Sequence, residues 1–208
     1  MKTTTFINLS GGVDSTYYLW RWLKDHPEEV IRVHHCRFNV RRKQVEDQAS
    51  DGIVKWLKDN GYQDNIDYVK TTMTKGTLKN TINDIEMIGA IAGFAARLDS
   101  IKTVLLPYCK EETRIIRRHF AKGKPIKELE IKHRTSVFIK MMELGAKRTF
   151  DFTCPYLMKT KQEMVNELPD ELLNQTWYCR KPAKDQKPCK ECFNCKRVIR
   201  ALKNRKKV

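Results

Sequence analysis

Three observations predict an α/β fold with a parallel sheet covered by helices on both faces. Short β-branched runs alternate along the chain with helical stretches, in the order β-α-β-α-β-α-β. The first strand passes into the first helix through Ser10-Gly11-Gly12-Val13-Asp14-Ser15, a tight turn containing two adjacent glycines. Finally, 208 residues with 40% hydrophobic and 32% charged content suit one soluble domain with a full core and a small appendage.

The elements follow in order. Thr4 to Leu9 is apolar enough for a buried strand, and Tyr17 to Leu23 forms the body of the helix behind it. His26-Pro27-Glu28-Glu29 breaks that pattern, and Val30 to Cys36 is a β-branched second strand. Val45, Ala49, Ile53, Trp56 and Leu57 recur near helical spacing, so Arg41 to Asn60 reads as a helix stopped by Gly61. Asn65 to Lys70 is a third strand. Ile85 to Leu98 is apolar nearly all round and rich in Gly and Ala, which predicts a buried helix packed closely on the sheet. Lys102 to Pro107 is the fourth strand, and Arg134 to Leu144 and Lys161 to Leu168 are further helices. The last opens on Thr160-Lys161-Gln162-Glu163, a capping box. The expected division is an α/β domain over 1–150 and a C-terminal helical segment over 151–208.

In parallel sheets ligands sit beyond the carboxyl ends of the strands. That rule gathers Ser10–Ser15, Cys36–Asn39 and Tyr108–Arg114 around one crevice. The first of these stretches carries chemistry of its own. Backbone N–H groups at Gly11, Gly12 and Val13, with no side chain before them and a helix dipole behind, make a nest for phosphate oxygens. Ser10 and Ser15 can add hydroxyl donors. The dinucleotide fingerprint and the Walker loop are both absent.

The formal net charge is +16, concentrated in Arg114–Arg118, Lys122–His133 and the tail from Lys196. Such a balance fits a polyphosphate basin or tRNA or DNA contact, and equally a solvated Lys-rich surface. The N-terminus has no long apolar core and no apolar run reaches membrane-spanning length, so a cytoplasmic protein without membrane contact is expected. Oligomeric state is not legible, and a homodimer is compatible with the sequence.

Of seven cysteines, four lie together as Cys179, Cys189, Cys192 and Cys195, a C-x9-C-x2-C-x2-C spacing. Under reducing conditions this spacing fits tetrahedral Zn2+ held by thiolates, with no open position and hence a structural role. An Fe–S cluster is the rival. Cys36, Cys109 and Cys154 lie in apolar strand-like surroundings where buried free thiols are expected.

The Ser-Gly-Gly-x-Asp-Ser loop resembles the pyrophosphate-binding loop of the PP-loop ATP pyrophosphatases. Together with the cysteine spacing it is similar to one family of them, the 7-cyano-7-deazaguanine (preQ0) synthase, or QueC, family. Cys154-Pro155-Tyr156-Leu157-Met158-Lys159-Thr160-Lys161-Gln162-Glu163 resembles that family's T-P-L-x-x-x-D-K-x-E run, and Thr176-Trp177-Tyr178-Cys179 its approach to the zinc site. The middle departs. Thr81-Ile82-Asn83-Asp84 stands where the family has P-G-R-N, and Tyr108 to Arg118 where it has D-x-S-x-Y-P-D.

The resemblance implies an adenine nucleotide alpha hydrolase-like fold with a small C-terminal zinc segment, and ATP, Mg2+ and structural Zn2+ as cofactors. It also implies a ligase that adenylates 7-carboxy-7-deazaguanine and uses ammonia to form an amide or nitrile, releasing AMP and pyrophosphate, in queuosine or modified DNA base biosynthesis. Ser10, Gly11, Gly12, Val13 and Ser15 would hold pyrophosphate. Asp14 would support the loop or Mg2+, or simply partner the helix dipole. Lys161 would neutralise a phosphate or else be a solvated helix lysine. Arg114, Arg117 and Arg118 would add charge at the crevice mouth, and Cys36, Arg37 and Phe38 would line the adenine site. Two other readings stay open: a tRNA-modifying PP-loop enzyme, and a non-catalytic nucleic-acid- or partner-binding protein that keeps the loop and the zinc site.

Overall fold

The computed structural model describes residues 2–38, 42–74, 84–112 and 133–206. Five parallel strands form one sheet in the order β3-β2-β1-β4-β5. They are β1 (Thr3–Asn8), β2 (Val30–Phe38), β3 (Ile66–Met73), β4 (Thr103–Leu105) and β5 (Asp151–Thr153). The connecting helices are α1 (Val13–Asp25), α2 (Lys43–Leu57, continued by a π-turn over Lys58–Tyr62), α3 (Asp84–Ala95) and α4 (His133–Ala146). Three more follow the sheet: α5 (Lys161–Glu167), α6 (Asp170–Asn174) and α7 (Phe193–Lys203). No described helix is long and apolar enough to cross a membrane.

Strand alternation sorts the core into two layers. Ile7, Ile31, Val33 and Leu105 point to one face, where they meet Tyr17, Leu19 and Leu23 of α1, Ile53 and Leu57 of α2, and Met164, Leu172 and Val198 of α5 to α7. Phe6 and Val104 point to the other, against Ala92 and Ala96 at the end of α3 and Phe138 and Met142 of α4. Burial of both faces explains why the strands are apolar at consecutive positions.

The small residues of α3 do more than fit the sheet. A Cβ at Gly93 would fall 2.1 Å from the carbonyl oxygen of Met142, so α3 and α4 pack backbone to backbone there. Arg97 completes the contact by donating to the Gly145 carbonyl at 2.9 Å. The expected partner was the sheet alone; a second helix shares the surface, and Phe94 is left exposed.

The boundary expected at residue 150 does not coincide with a break in packing. β5 extends the sheet beside β4, and α5, α6 and α7 share the core of β1 and α1. Tyr17 of α1 donates from its hydroxyl to Glu167 of α5 at 2.6 Å, and Tyr18 donates to the carbonyl of Tyr108 at 2.7 Å. The capping box of α5 forms as the sequence predicts, with Thr160 accepting from the Glu163 amide and Glu163 accepting from the Thr160 amide.

Strand order reverses direction between β1 and β4: β2 and β3 lie to one side of β1, β4 and β5 to the other. Crevices in open parallel sheets form at such a switch point, outside the carboxyl ends of the strands. The turn after β1 sits there.

Candidate functional site

The turn is built from its backbone outward. Gly11 has φ +74°, a left-handed conformation that costs other residues, and a Cβ there would lie 3.1 to 3.2 Å from Ala49, the Glu46 carbonyl and Ser50 of α2. Gly12 is the N-cap of α1 in an extended conformation, with no side-chain cap on the helix. The first amides of α1 therefore keep their N–H groups without an intrahelical acceptor, at the positive end of the dipole.

Around this backbone the serines brace one another. Their hydroxyls are 3.0 Å apart; the Ser10 amide donates to Ser15 Oγ at 3.2 Å, and the Gly12 amide to Ser10 Oγ at 3.3 Å. Thr16 donates from its hydroxyl to the Gly12 carbonyl at 2.8 Å. The other side of the turn is held by the C-terminal region, where the Trp177 amide donates to the Gly11 carbonyl at 2.8 Å.

A cavity of about 290 Å3 opens beside the turn. Ser10, Gly12, Val13 and Asp14 form one wall, with Cys36 at the end of β2, Glu112 beyond β4, and Lys161 at the start of α5. All but Lys161 come from the three stretches that the sequence places around a crevice. Gly11 and Ser15 lie behind the wall, one packed on α2 and the other buried under the turn. Phe38 contributes its backbone to β2; its side chain, Asn39, and the arginines at 114, 117 and 118 lie outside the described residues, as does the 122–132 basic run.

The remaining lining was not legible as a site. Trp177 and Tyr178 precede Cys179, Arg180 follows it, and Asn194, Arg197 and Val198 lie on α7 around Cys195. The Trp177 and Tyr178 rings are nearly parallel, at 21°, with centroids 6.5 Å apart. Adjacency to the cysteines was the available signal: Arg180 follows Cys179, and Arg197 comes two residues after Cys195.

Electrostatically the cavity is a field of paired charges. Lys161, almost fully buried, is ion-paired to Asp14. Its amide, at the start of α5, donates to both oxygens of Glu111 at 2.9 and 3.0 Å. Arg42 pairs with Glu46 at 2.6 Å. Arg197 lies 3.9 Å from Glu111 and donates to Cys109 Sγ at 3.2 Å. Burial raises the carboxyl of Glu112 above its usual range, with Asp14 adding repulsion, and burial likewise raises Glu46.

Two buried histidines hold the strand ends in place. His34 bridges Asn8 and Thr71 at 2.8 Å each, and burial lowers it to about 4. His35 meets the Leu9 carbonyl at 2.8 Å and Asp47 at 2.9 Å, while Asp47 also accepts from Arg37 at 2.7 Å. Arg37 therefore turns to α2, away from the cavity lining, where the sequence placed it beside the adenine. Cys109 and Cys154 are buried thiols, each pushed up to about 12 chiefly by desolvation. Burial also raises Cys36. Among the described residues no cation lies at the Cys36 or Cys154 sulfur, and at Cys109 burial and the nearby Asp14 outweigh the Arg197 and Lys161 charges, so none of the three is an activated nucleophile.

The four C-terminal cysteines converge, their sulfur atoms all within 4.8 Å of one another. Cys179 to Cys189 is 3.5 Å and Cys189 to Cys195 is 3.9 Å. Tetrahedral Zn–S bonds of about 2.3 Å require sulfurs about 3.8 Å apart, close to these two separations, so the donor set is compatible with that ion. Backbone amides support it. The Cys189, Cys192 and Cys195 amides donate to the sulfurs of Cys179, Cys189 and Cys192 at 3.3, 3.3 and 3.5 Å. Such bonds favour thiolates. Among the described residues the other group with metal-compatible spacing is His26, Glu28 and Glu29, far from the turn in sequence; Asp14 belongs to neither. Glu29 already accepts hydrogen bonds from Thr4, Thr5 and Trp22.

No protein-family model matches the chain. No curated protein matches it either. Among solved structures the chain is similar to the NMN synthetase from Francisella tularensis, with 10% identity and a TM-score of 0.39, over 100% of this chain and 79% of that one.

Proposed function

We propose that this chain is an ATP-dependent carbon–nitrogen ligase of the PP-loop type, which cleaves ATP between the α- and β-phosphorus and passes AMP to an acceptor carboxylate. The observation that carries the reading is the turn itself. An uncapped helix N-terminus and Ser10 border a cavity at the switch point of a parallel sheet, with the left-handed Gly11 and the linked Ser15 supporting them from behind. Amides arranged in this way bind phosphate oxygens without conformational cost at the moment of reaction.

In this reading the pyrophosphate of ATP lies against the Gly11, Gly12 and Val13 amides, with the Ser10 hydroxyl turning from Ser15 to a phosphate oxygen. Lys161 exchanges part of its pairing with Asp14 for the leaving pyrophosphate, and Arg197 and Arg180 add positive charge across the cavity. Asp14, the loop's carboxylate, would help hold a Mg2+ accompanying ATP once Lys161 turns to the phosphates, and the ion would neutralise phosphate charge. The adenine lies toward Cys36 and the end of β2. An acceptor carboxylate oxygen attacks the α-phosphorus, the α–β bridging bond breaks, and pyrophosphate leaves. Ammonia then attacks the acyl-adenylate carbon and AMP departs, leaving an amide. Alignment and charge neutralisation do most of this work.

For the acceptor, we propose 7-carboxy-7-deazaguanine or a closely related heterocyclic acid, with amide or nitrile as product. The paired loop and cysteine motifs support it, and the stacked Trp177 and Tyr178 offer a flat heterocycle aromatic surface in the same cavity. Cys179, Cys189, Cys192 and Cys195 would hold Zn2+, whose contribution is to lock the segment carrying Trp177, Tyr178, Arg180 and Arg197 onto the turn. A cytoplasmic setting is part of the same proposal. The test is Ser10→Ala combined with Asp14→Asn: AMP release should fall below detection in protein that still shows a cooperative melting transition, lowered because Lys161 loses its partner. Undiminished release would overturn the assignment of the turn.

A further inference from the structure

We propose that the outer face of α7 is a docking strip for single-stranded nucleic acid. From 180 to 206 the chain carries eleven Lys and Arg against two acids, and α7 has no acid at all. On this helix Phe193, Lys196, Arg200 and Lys203 are all exposed. At 100° per residue they fall within an arc of about 80° and span about 15 Å along the axis. Among the described residues, Lys196, Arg200 and Lys203 make no side-chain ion pair.

Phe193 heads this row, 68% exposed, with the Arg197 guanidinium over its ring at 5.2 Å. An exposed aromatic followed by a line of free cations is the arrangement that stacks a base and tracks the phosphates behind it. An acidic protein surface would leave the ring without a role. A bilayer would need an apolar face, and Leu202, the other exposed apolar side chain of α7, points to the opposite side. The flank adjoining the strip carries Asn194 and Arg197, which line the cavity. A strand on α7 thus lies at the cavity mouth.

The test uses the full chain purified with zinc and a fluorescein-labelled single-stranded oligonucleotide of about 16 nucleotides, read by fluorescence anisotropy without ATP. Omitting ATP keeps the result independent of the ligase reading, which is judged by AMP release. Binding should weaken steeply between about 50 and about 200 mM salt. K196Q/R200Q/K203Q should lower affinity and flatten the log–log salt slope by about 2, since each contact to a single strand contributes about 0.7. Phe193→Ala should weaken binding about 5- to 100-fold with the slope unchanged. K24Q/K102Q/K140Q removes the same charge from exposed positions elsewhere and should bind as wild type does. Zinc content and melting temperature check that each variant is folded. Absence of oligonucleotide binding, or equal weakening by the two triple variants, would overturn the proposal, as would an affinity insensitive to Phe193.

Discussion

Gly11→Ala separates the two constraints on the turn after β1. The first is conformational: at φ +74° an added Cβ costs about 1–2 kcal/mol. The second is steric. The new methyl would meet Ala49 Cβ at 3.1 Å and the Glu46 carbonyl and Ser50 Oγ at 3.2 Å. Two of these groups belong to the rigid body of α2, so relief requires the turn and the helix to part, at an overpacking cost of about 1–3 kcal/mol. The combined loss of about 2–5 kcal/mol corresponds to a melting-temperature drop of about 4–20 °C for a domain of this size. Gly61→Ala is the internal control, because Gly61 has φ +98° but nothing within 4 Å of its Cβ position. It should drop by about 2–8 °C, the conformational cost alone. Thermal unfolding by circular dichroism measures both. ATP titration should show that Gly11→Ala also weakens nucleotide binding about tenfold or more, while Gly61→Ala does not. Equal melting temperatures for the two variants would refute the packing of the turn against α2.

Three further expectations concern other parts of the molecule. Removing zinc by chelation, or Cys192→Ser, should lower thermal stability sharply and release one zinc per chain by colorimetric assay; a metal-free protein melting normally would exclude a structural site. Gly93→Val should destabilise by more than about 3 kcal/mol in urea titration, because Met142 O and Ala146 N leave no room for a Cβ. His34, lowered to about 4 in the folded state, takes up a proton more readily when unfolded. Stability should therefore be fully present above about pH 6.5 and fall as pH drops toward 4, by up to about 3 kcal/mol. His34→Gln should lose most of that pH dependence in denaturant titrations, and an unchanged dependence would refute it.

The layered sheet was legible because each early strand and helix carries its own local signal. Val30 to Cys36 is β-branched, and Thr160 to Glu163 caps α5 whatever it packs against. β5 was not legible: Asp151, Phe152 and Thr153 are three residues whose strand character comes from pairing with β4. The short α6 and the knuckle-bound α7 escaped for a related reason, since tertiary contacts and the cysteine centre, more than periodicity, hold them in place. The tight turn and the convergence of the four cysteines could be read because both show in local residue spacing. The cavity's far wall could not, because Trp177, Arg180 and Arg197 reach the turn only when α7 folds back across α5. The pairing of Lys161 with Asp14, across 147 positions of chain, is likewise a product of that closure.

The measurement that bears most directly on the central claim is the identity of the nucleotide released from ATP with Mg2+ and ammonium, with and without 7-carboxy-7-deazaguanine. Chromatography of the nucleotides, with mass spectrometry of the acceptor, should show AMP and pyrophosphate in equal amounts and an acceptor converted to amide or nitrile. ADP and phosphate as products, or no turnover with an intact melting transition, would contradict a ligase built on this turn.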